Sequence, residues 1–262
     1  MAGLIRTIRR RQLAKRPLPQ DWTAVLQRRV PFYRRLCGRE QARFLKLLRI
    51  FIWEKHFTGA GGIQITDEVR VVIAACAVRL VLHLDISYYD RLSEIIVYPF
   101  AFRHPASKIG LLGETQDWGI VVLSWPAVLL GLADTGDAHA VATHEFAHVL
   151  DRADGRFDGT PLLKSRSAYQ AWAKVMSAHF LKLRKNAALE RKVLRLYGAV
   201  NEAEFFAVAT EAFFKKPTLM KKLTPDLYTE LQDFYRIDPA GELSAVCLPS
   251  ADTGIPEQGP SH

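Results

Sequence analysis

The pentapeptide His144-Glu145-Phe146-Ala147-His148 restricts this chain more than any other feature. Two residues four apart on a helix leave the same face one above the other, so both imidazoles can reach one ion. The surrounding residues read as that helix: Asp137 stands at the N-terminal side, and Ala138, Ala140, Val141, Ala142, Phe146, Val149 and Leu150 supply apolar positions. Glu145, next to the first histidine, projects beside the pair, where a carboxylate can take a proton from water. Zinc suits two imidazoles plus a carboxylate with one position left open. Asp151, three residues after His148, lies on nearly the same face. It can either orient a ligand ring or cap the following turn.

Two histidines do not complete a catalytic zinc site, which needs a third protein ligand. The best donor segment is Asn201 to Phe214, whose apolar residues run nearly all the way round a helix, so that the helix is expected to be buried. Glu204 and Glu211 lie two turns apart on one stripe of it, and a buried carboxylate needs a charge partner. Asn201 followed three residues later by Glu204 also resembles a capping box. Spacing alone divides the ligand role between Glu204 and Glu211, with Glu204 ahead.

Size, charge and hydropathy bound the rest. A chain of 262 residues, 49% apolar and 24% charged, can bury a sizeable core and is not disordered as a whole. No stretch is long and apolar enough to span a bilayer, and no secretory signal core precedes the fold. Cys37, Cys76 and Cys247 are odd in number and widely spaced, with no metal or disulfide pattern, which favours a reducing, cytoplasmic setting. The basic excess is local: residues 1–50 carry 14 Lys and Arg against Asp21 and Glu40, a net +12, leaving −3 for the other 212 residues of a +9 chain. Residues 1–20 are expected to be a basic, flexible tail able to meet an anionic partner: nucleic acid, anionic lipid or an acidic protein. Residues 21–248 are expected to form one domain, and the Pro-, Gly- and Ser-rich residues 249–262 a disordered tail.

Within that domain, helices are expected over Trp22 to His56, from Asp67 to Leu82, into Leu150, over Ala168 to Tyr197, Asn201 to Lys216 and Asp226 to Tyr235. Ile95-Ile96-Val97-Tyr98 and Trp118 to Trp125 read as strands. The second is read either as an edge that could bind an extended peptide or as a buried core strand.

Together with the pentapeptide, the stretches Ile96-Val97-Tyr98-Pro99, Ile120 to Trp125, Tyr197 to Phe214 and Phe234 to Pro239 resemble the Mlc titration factor A family of bacterial zinc peptidases, over about residues 25 to 240. That family is similar in its active site to the catalytic domain of anthrax lethal factor. The resemblance implies an α+β, zincin-like fold with a small sheet, an HExxH helix and a mostly helical C-terminal half. It implies Zn2+ held by His144, His148 and Glu204, with Glu145 as general base. It also implies that Tyr197 donates a hydrogen bond to the oxyanion, and it leaves Glu211 a supporting role. The implied activity is aminopeptidase-like hydrolysis of small peptides, with a transcription repressor of the Mlc type, controlling sugar uptake, as a partner. The basic N-terminus departs from that pattern. The competing expectation is a non-catalytic regulatory protein that binds such a repressor, with zinc mainly structural. A structural zinc site would normally be closed by four protein ligands, and no fourth is evident.

Overall fold

Strand β2 (Glu94–Tyr98) forms where Ile95-Ile96-Val97 supplies β-branched residues, with Ile95 and Val97 buried on one face. In the computed structural model, which describes residues 2–101, 113–116, 119–133 and 139–241, β2 pairs in parallel with β1 (His56–Gly59) on one side and β4 (Ile120–Ser124) on the other. Strand β3 (Gly113–Gln116) runs antiparallel to β4 and completes a four-stranded sheet in the order β1-β2-β4-β3. The molecule is therefore α+β, as expected. Trp118 to Trp125 does not form an edge, because β4 lies between β2 and β3. Its residues Val121 to Ser124 are all buried, the near-continuous apolar pattern of a strand covered on both faces. Trp118 lies outside the described residues, and Trp125 already begins helix α5 (Trp125–Leu132), where Pro126 suits a first helical turn.

Helices surround this sheet. The expected segment Trp22 to His56 divides into α2 (Gln20–Arg29) and α3 (Gly38–Glu54). Helix α4 (Asp67–Leu80) is capped by Thr66, whose hydroxyl accepts from Val69 N at 3.3 Å, while Asp67 accepts from the Trp22 indole at 3.0 Å. Helix α6 (Val141–Asp151) carries the histidine pair and has all its residues buried. Phe51 of α3 meets Phe146 of α6 edge-on, with ring centres 5.8 Å apart. The expected helix over Ala168 to Tyr197 is interrupted: α7 (Arg166–Arg184) ends before Asn186, which takes a left-handed φ of 60°, and α8 (Ala188–Val193) follows. Helices α9 (Glu202–Lys215), α10 (Pro217–Leu223) and α11 (Pro225–Tyr235) complete the second half. The Tyr235 hydroxyl, 2.9 Å from Thr210 Oγ1, ties α11 to α9.

The N-terminus departs from the expected flexible tail. It forms helix α1 (Ala2–Leu13), with Leu13 buried and Arg10 bonded to Glu54 at 2.8 Å and to Asp90 at 2.7 Å. Those acids lie 44 and 80 residues away in sequence, so local reading gave the arginine no partner. Cys76 is a buried free thiol, as its apolar surroundings imply. The expected C-terminal tail, 249–262, lies outside the described residues.

Lys55, at the junction of α3 and β1, donates to Tyr89 O at 2.6 Å and Leu92 O at 2.7 Å. Burial lowers its ammonium to about 8, against the weaker pull of Glu54. A lysine whose folded value lies below its unfolded one holds fewer protons when folded, so stability rises with pH between about 8 and 10. Across that window wild type should gain up to about 3 kcal/mol relative to Lys55→Met, read from denaturant midpoints. Parallel pH profiles for the two proteins would contradict the assignment.

Candidate metal centre

Helix α6 begins at Val141 after Ala140, which offers no capping side chain. The missing cap is supplied from α9: Glu211 Oε1 accepts from Ala140 N at 2.9 Å. One turn on, His144 and His148 project from the same face, 7% and 4% exposed, with ring centres 4.7 Å apart. The two Nε2 atoms are 3.1 Å apart, and Glu204 Oε2 lies 3.0 Å from that of His144 and 3.4 Å from that of His148. All three ligand-type atoms fall within 4.8 Å of one another.

The residues fit a zinc ion. Metal–ligand bonds of about 2.0–2.1 Å in a tetrahedron place ligand atoms about 3.3–3.4 Å apart. The observed separations of 3.1, 3.0 and 3.4 Å lie close to that edge length. Two imidazoles and one carboxylate are a donor set for zinc, and among the described residues the cluster has these three members.

Glu204 reaches the site because of its place in α9. Asn201 Oδ1 accepts from Glu204 N at 2.8 Å, fixing the glutamate as the third helical residue. In a full capping box that side chain would turn back to the Asn201 backbone. Here it turns to the two histidines. Burial opposes its ionisation, but the hydrogen bonds and charges of His144 and His148 dominate and hold it far below the usual carboxylate range. The same partnership lifts His144: burial opposes its charge, yet Glu204, Glu211 and Glu145 bring it up to about 10.

Glu211, two turns along α9, lies on the other side of the His144 ring, 3.5 Å from Nδ1. It is fully buried and ion-paired with Arg195. Burial pushes its carboxyl up, but His144 and Arg195 outweigh it and the value falls. Of the two carboxylates that spacing left open, Glu204 is the one brought to the Nε2 atoms. Asp151 accepts from Gly159 N at 3.0 Å and Thr160 N at 2.8 Å, holding the turn after α6. Gly159 has φ of 76°, and a Cβ there would come within 2.3 Å of Glu202 O, so the turn packs directly on the start of α9.

Glu145 is 6% exposed, and Thr115 of β3 donates to its Oε2 at 2.9 Å. Burial raises its carboxyl above the usual range despite the charges of His144 and His148. Strand β3 can lie this close because residue 113 is glycine: a Cβ would stand 2.6 Å from Glu145 Oε1. Tyr197, in a short 3-10 turn before α9, is half exposed, with its ring 5.8 Å from that of His144. Burial, then the charges of Glu204 and Glu145, push its phenol up to about 12, so it stays a hydrogen-bond donor at neutral pH.

Sequence reasoning missed Thr115, Arg195 and Phe157, whose ring lies 5.1 Å from that of His148. None belongs to a motif, and the polar run Gly113-Glu114-Thr115-Gln116 carries no strand alternation. Replacing Thr115 with Val keeps the β-branched shape and leaves Glu145 without its hydroxyl donor. Peptide hydrolysis should fall by about 10–100-fold, the equivalent of the roughly 1.5–3 kcal/mol of one hydrogen bond to a charged group. An unchanged rate at equal metal content would show that Thr115 does not orient Glu145.

The model of the glucose-regulated metallo-peptidase M90 family matches residues 5–236. This chain belongs to that family. It is 38% identical over 246 residues to an uncharacterized protein of Synechocystis sp., covering 88% of this chain and 89% of the relative. It is 28% identical to Mlc titration factor A of Salmonella paratyphi A, covering 90% and 92% of the two chains. The Mlc titration factor A of Salmonella choleraesuis is also 28% identical, with 86% and 89% covered. The M90 match takes in β1 to β4, the histidine pair and Glu204 and Glu211 of α9. Among the described residues no helix is long and apolar enough to cross a membrane.

Proposed function

We propose that this M90 chain is a zinc-dependent peptidase of the zincin type, gluzincin-like in its third ligand, with aminopeptidase-like action on small peptides in the cytoplasm. The observation that carries this reading is the convergence of His144 Nε2, His148 Nε2 and Glu204 Oε2 beside the buried carboxylate of Glu145. His144, His148 and Glu204 would hold the metal, which when bound supplies a Lewis acid and makes water a nucleophile near neutral pH. Glu145 takes the proton from the attacking water and delivers it to the leaving amine. Thr115 keeps that carboxylate aimed. The Tyr197 phenol donates to the oxygen on which negative charge develops. Strand β3, the sheet edge beside Glu145, offers backbone groups along which an extended peptide could align. Of the two readings the sequence left for residues 118–125, an edge or a buried core strand, β4 is the buried strand, and the edge is its neighbour.

Hydrolysis of a panel of amino-acid and peptide anilides by zinc-loaded and metal-stripped protein tests the reading. Hydrolysis only by the loaded form supports it, and N-terminally blocked peptides should be poor substrates. Tyr197→Phe should retain metal and lower kcat by about 10–100-fold with little change in KM, the pattern of a contact made only in the transition state.

A second reading is favoured by relatives named Mlc titration factor A: binding of an Mlc-type repressor, with the metal mainly holding α6 to α9. Its support would be repressor binding that survives in a metal-loaded Glu145→Gln variant.

A further inference from the structure

The docked helix α1 is amphipathic in an unusual sense. Its inward side carries Arg6 and Arg10, paired to Asp90 and Glu54, with the buried Leu13 at its C-terminal end. Its outward side holds Leu4, Ile5 and Ile8, 68%, 66% and 48% exposed. Positions 4, 5 and 8 share one helical face, so these three side chains form a contiguous ridge rather than scattered surface residues. Arg9 and Arg11 flank it on either side, both exposed, with Lys15 and Arg16 exposed just beyond the helix. The helix contains no acidic residue.

A second feature adjoins the ridge. Between α1, α3 and residues 84–86 lies a cleft of about 290 Å³. Arg10, Arg11, Arg43 and Lys46 line it, with Asp85 as its acidic member. Arg43 is bound to Leu82 O and Leu84 O, which fixes its guanidinium at the rim. Arg11 and Lys46 lie on the facing surfaces of α1 and α3 and are exposed.

We infer that α1 docks the protein onto an anionic phospholipid surface, with Leu4, Ile5 and Ile8 entering the interface and the cleft lined by Arg11 and Lys46 receiving a headgroup phosphate. An apolar ridge with a basic rim is the arrangement of an interfacial helix, which binds through buried apolar area and attraction to anionic lipid together. A nucleic-acid surface would match the charge and leave the ridge exposed to water, and α1 offers no aromatic ring to stack on a base. The inference does not depend on the peptidase reading, because it uses no residue of the metal centre.

Vesicle co-sedimentation of the full chain tests it, with phosphatidylcholine alone and with about a third phosphatidylglycerol added to give a negative surface. The protein should bind the anionic vesicles and not the neutral ones, and binding should weaken as salt is raised. Ile5→Glu/Ile8→Glu should lower binding at least tenfold. Arg11→Glu/Lys46→Glu should lower it by about 25-fold or more, from about fivefold for each cation near the surface. Leu181→Glu, at an exposed apolar residue on α7 (51% exposed), should leave binding unchanged. Melting temperatures equal to wild type keep the comparison one of surfaces. The inference is overturned if anionic vesicles are not bound, or if the ridge variant binds them as wild type does. It is also overturned if glycerol 3-phosphate displaces the protein completely, which would make the cleft a site for a soluble anion. The same holds if the ridge variant changes only the oligomeric state, which would make the ridge a contact with a second copy.

Discussion

Glu145→Gln is expected to lower peptide-anilide turnover by about 10²–10⁴-fold while leaving the metal in place. Glutamine keeps the volume of the side chain and an oxygen for the Thr115 hydroxyl, so packing on α6 is preserved. What disappears is the capacity to accept a proton. Because Glu145 is not one of the three converging groups, metal content should match wild type. The loss should fall in kcat and kcat/KM equally, since a proton in flight belongs to the transition state and not to substrate binding. Steady-state kinetics with metal analysis on the same samples checks this. Wild-type turnover in the variant would remove Glu145 from the mechanism. A parallel loss of metal would make it a ligand.

The second large effect concerns holding the ion. His144→Ala or Glu204→Ala should weaken metal binding by more than about 100-fold, beyond the 10–100-fold typical when a supporting partner is removed. Glu211→Ala should fall within that lower range, because it removes the contact at Nδ1 of His144 and the cap of α6 but leaves the three converging atoms in place. Competition against a chromophoric chelator measures both. The two glutamates thus give opposite rankings under the two assignments, and the reverse order would transfer the ligand role to Glu211. The variants also differ in stability: loss of Glu211 strands Arg195 and the Ala140 amide, so its melting temperature should fall even without metal.

How much of this was legible in the sequence differs from one element to the next. The histidine pair could be placed on a buried helix because the spacing of the motif and the apolar pattern around it share one period. The third carboxylate could be narrowed only to Glu204 or Glu211. They occupy one stripe of α9, and the choice depends on how α9 lies across α6, which no local pattern encodes. Asn201 was legible as a cap, since capping is a local interaction, but the direction taken by the Glu204 side chain was not. Strand β3 left no trace, being four polar residues held by pairing with β4 and by proximity to Glu145. Helix α1 was misread for a related reason: a run of arginines looks like a solvated tail until acids from distant segments are brought beneath it. The break at Asn186 lay within reach of residue chemistry, because asparagine tolerates the left-handed conformation better than most. It was hidden by a helical pattern on both sides.

His144 and Glu204 stand 60 residues apart in the chain, and an ion held between them would act as a removable staple. Cross-linking two points that far apart deprives the unfolded chain of about 4 kcal/mol of configurational freedom on the chain-entropy estimate used for disulfides. The enclosed ring contains α7, α8 and the turn held by Asp151. Metal supply would then set the lifetime of that half of the molecule as well as its chemistry, and a cell short of the ion would hold a chain that is both inactive and easier to degrade.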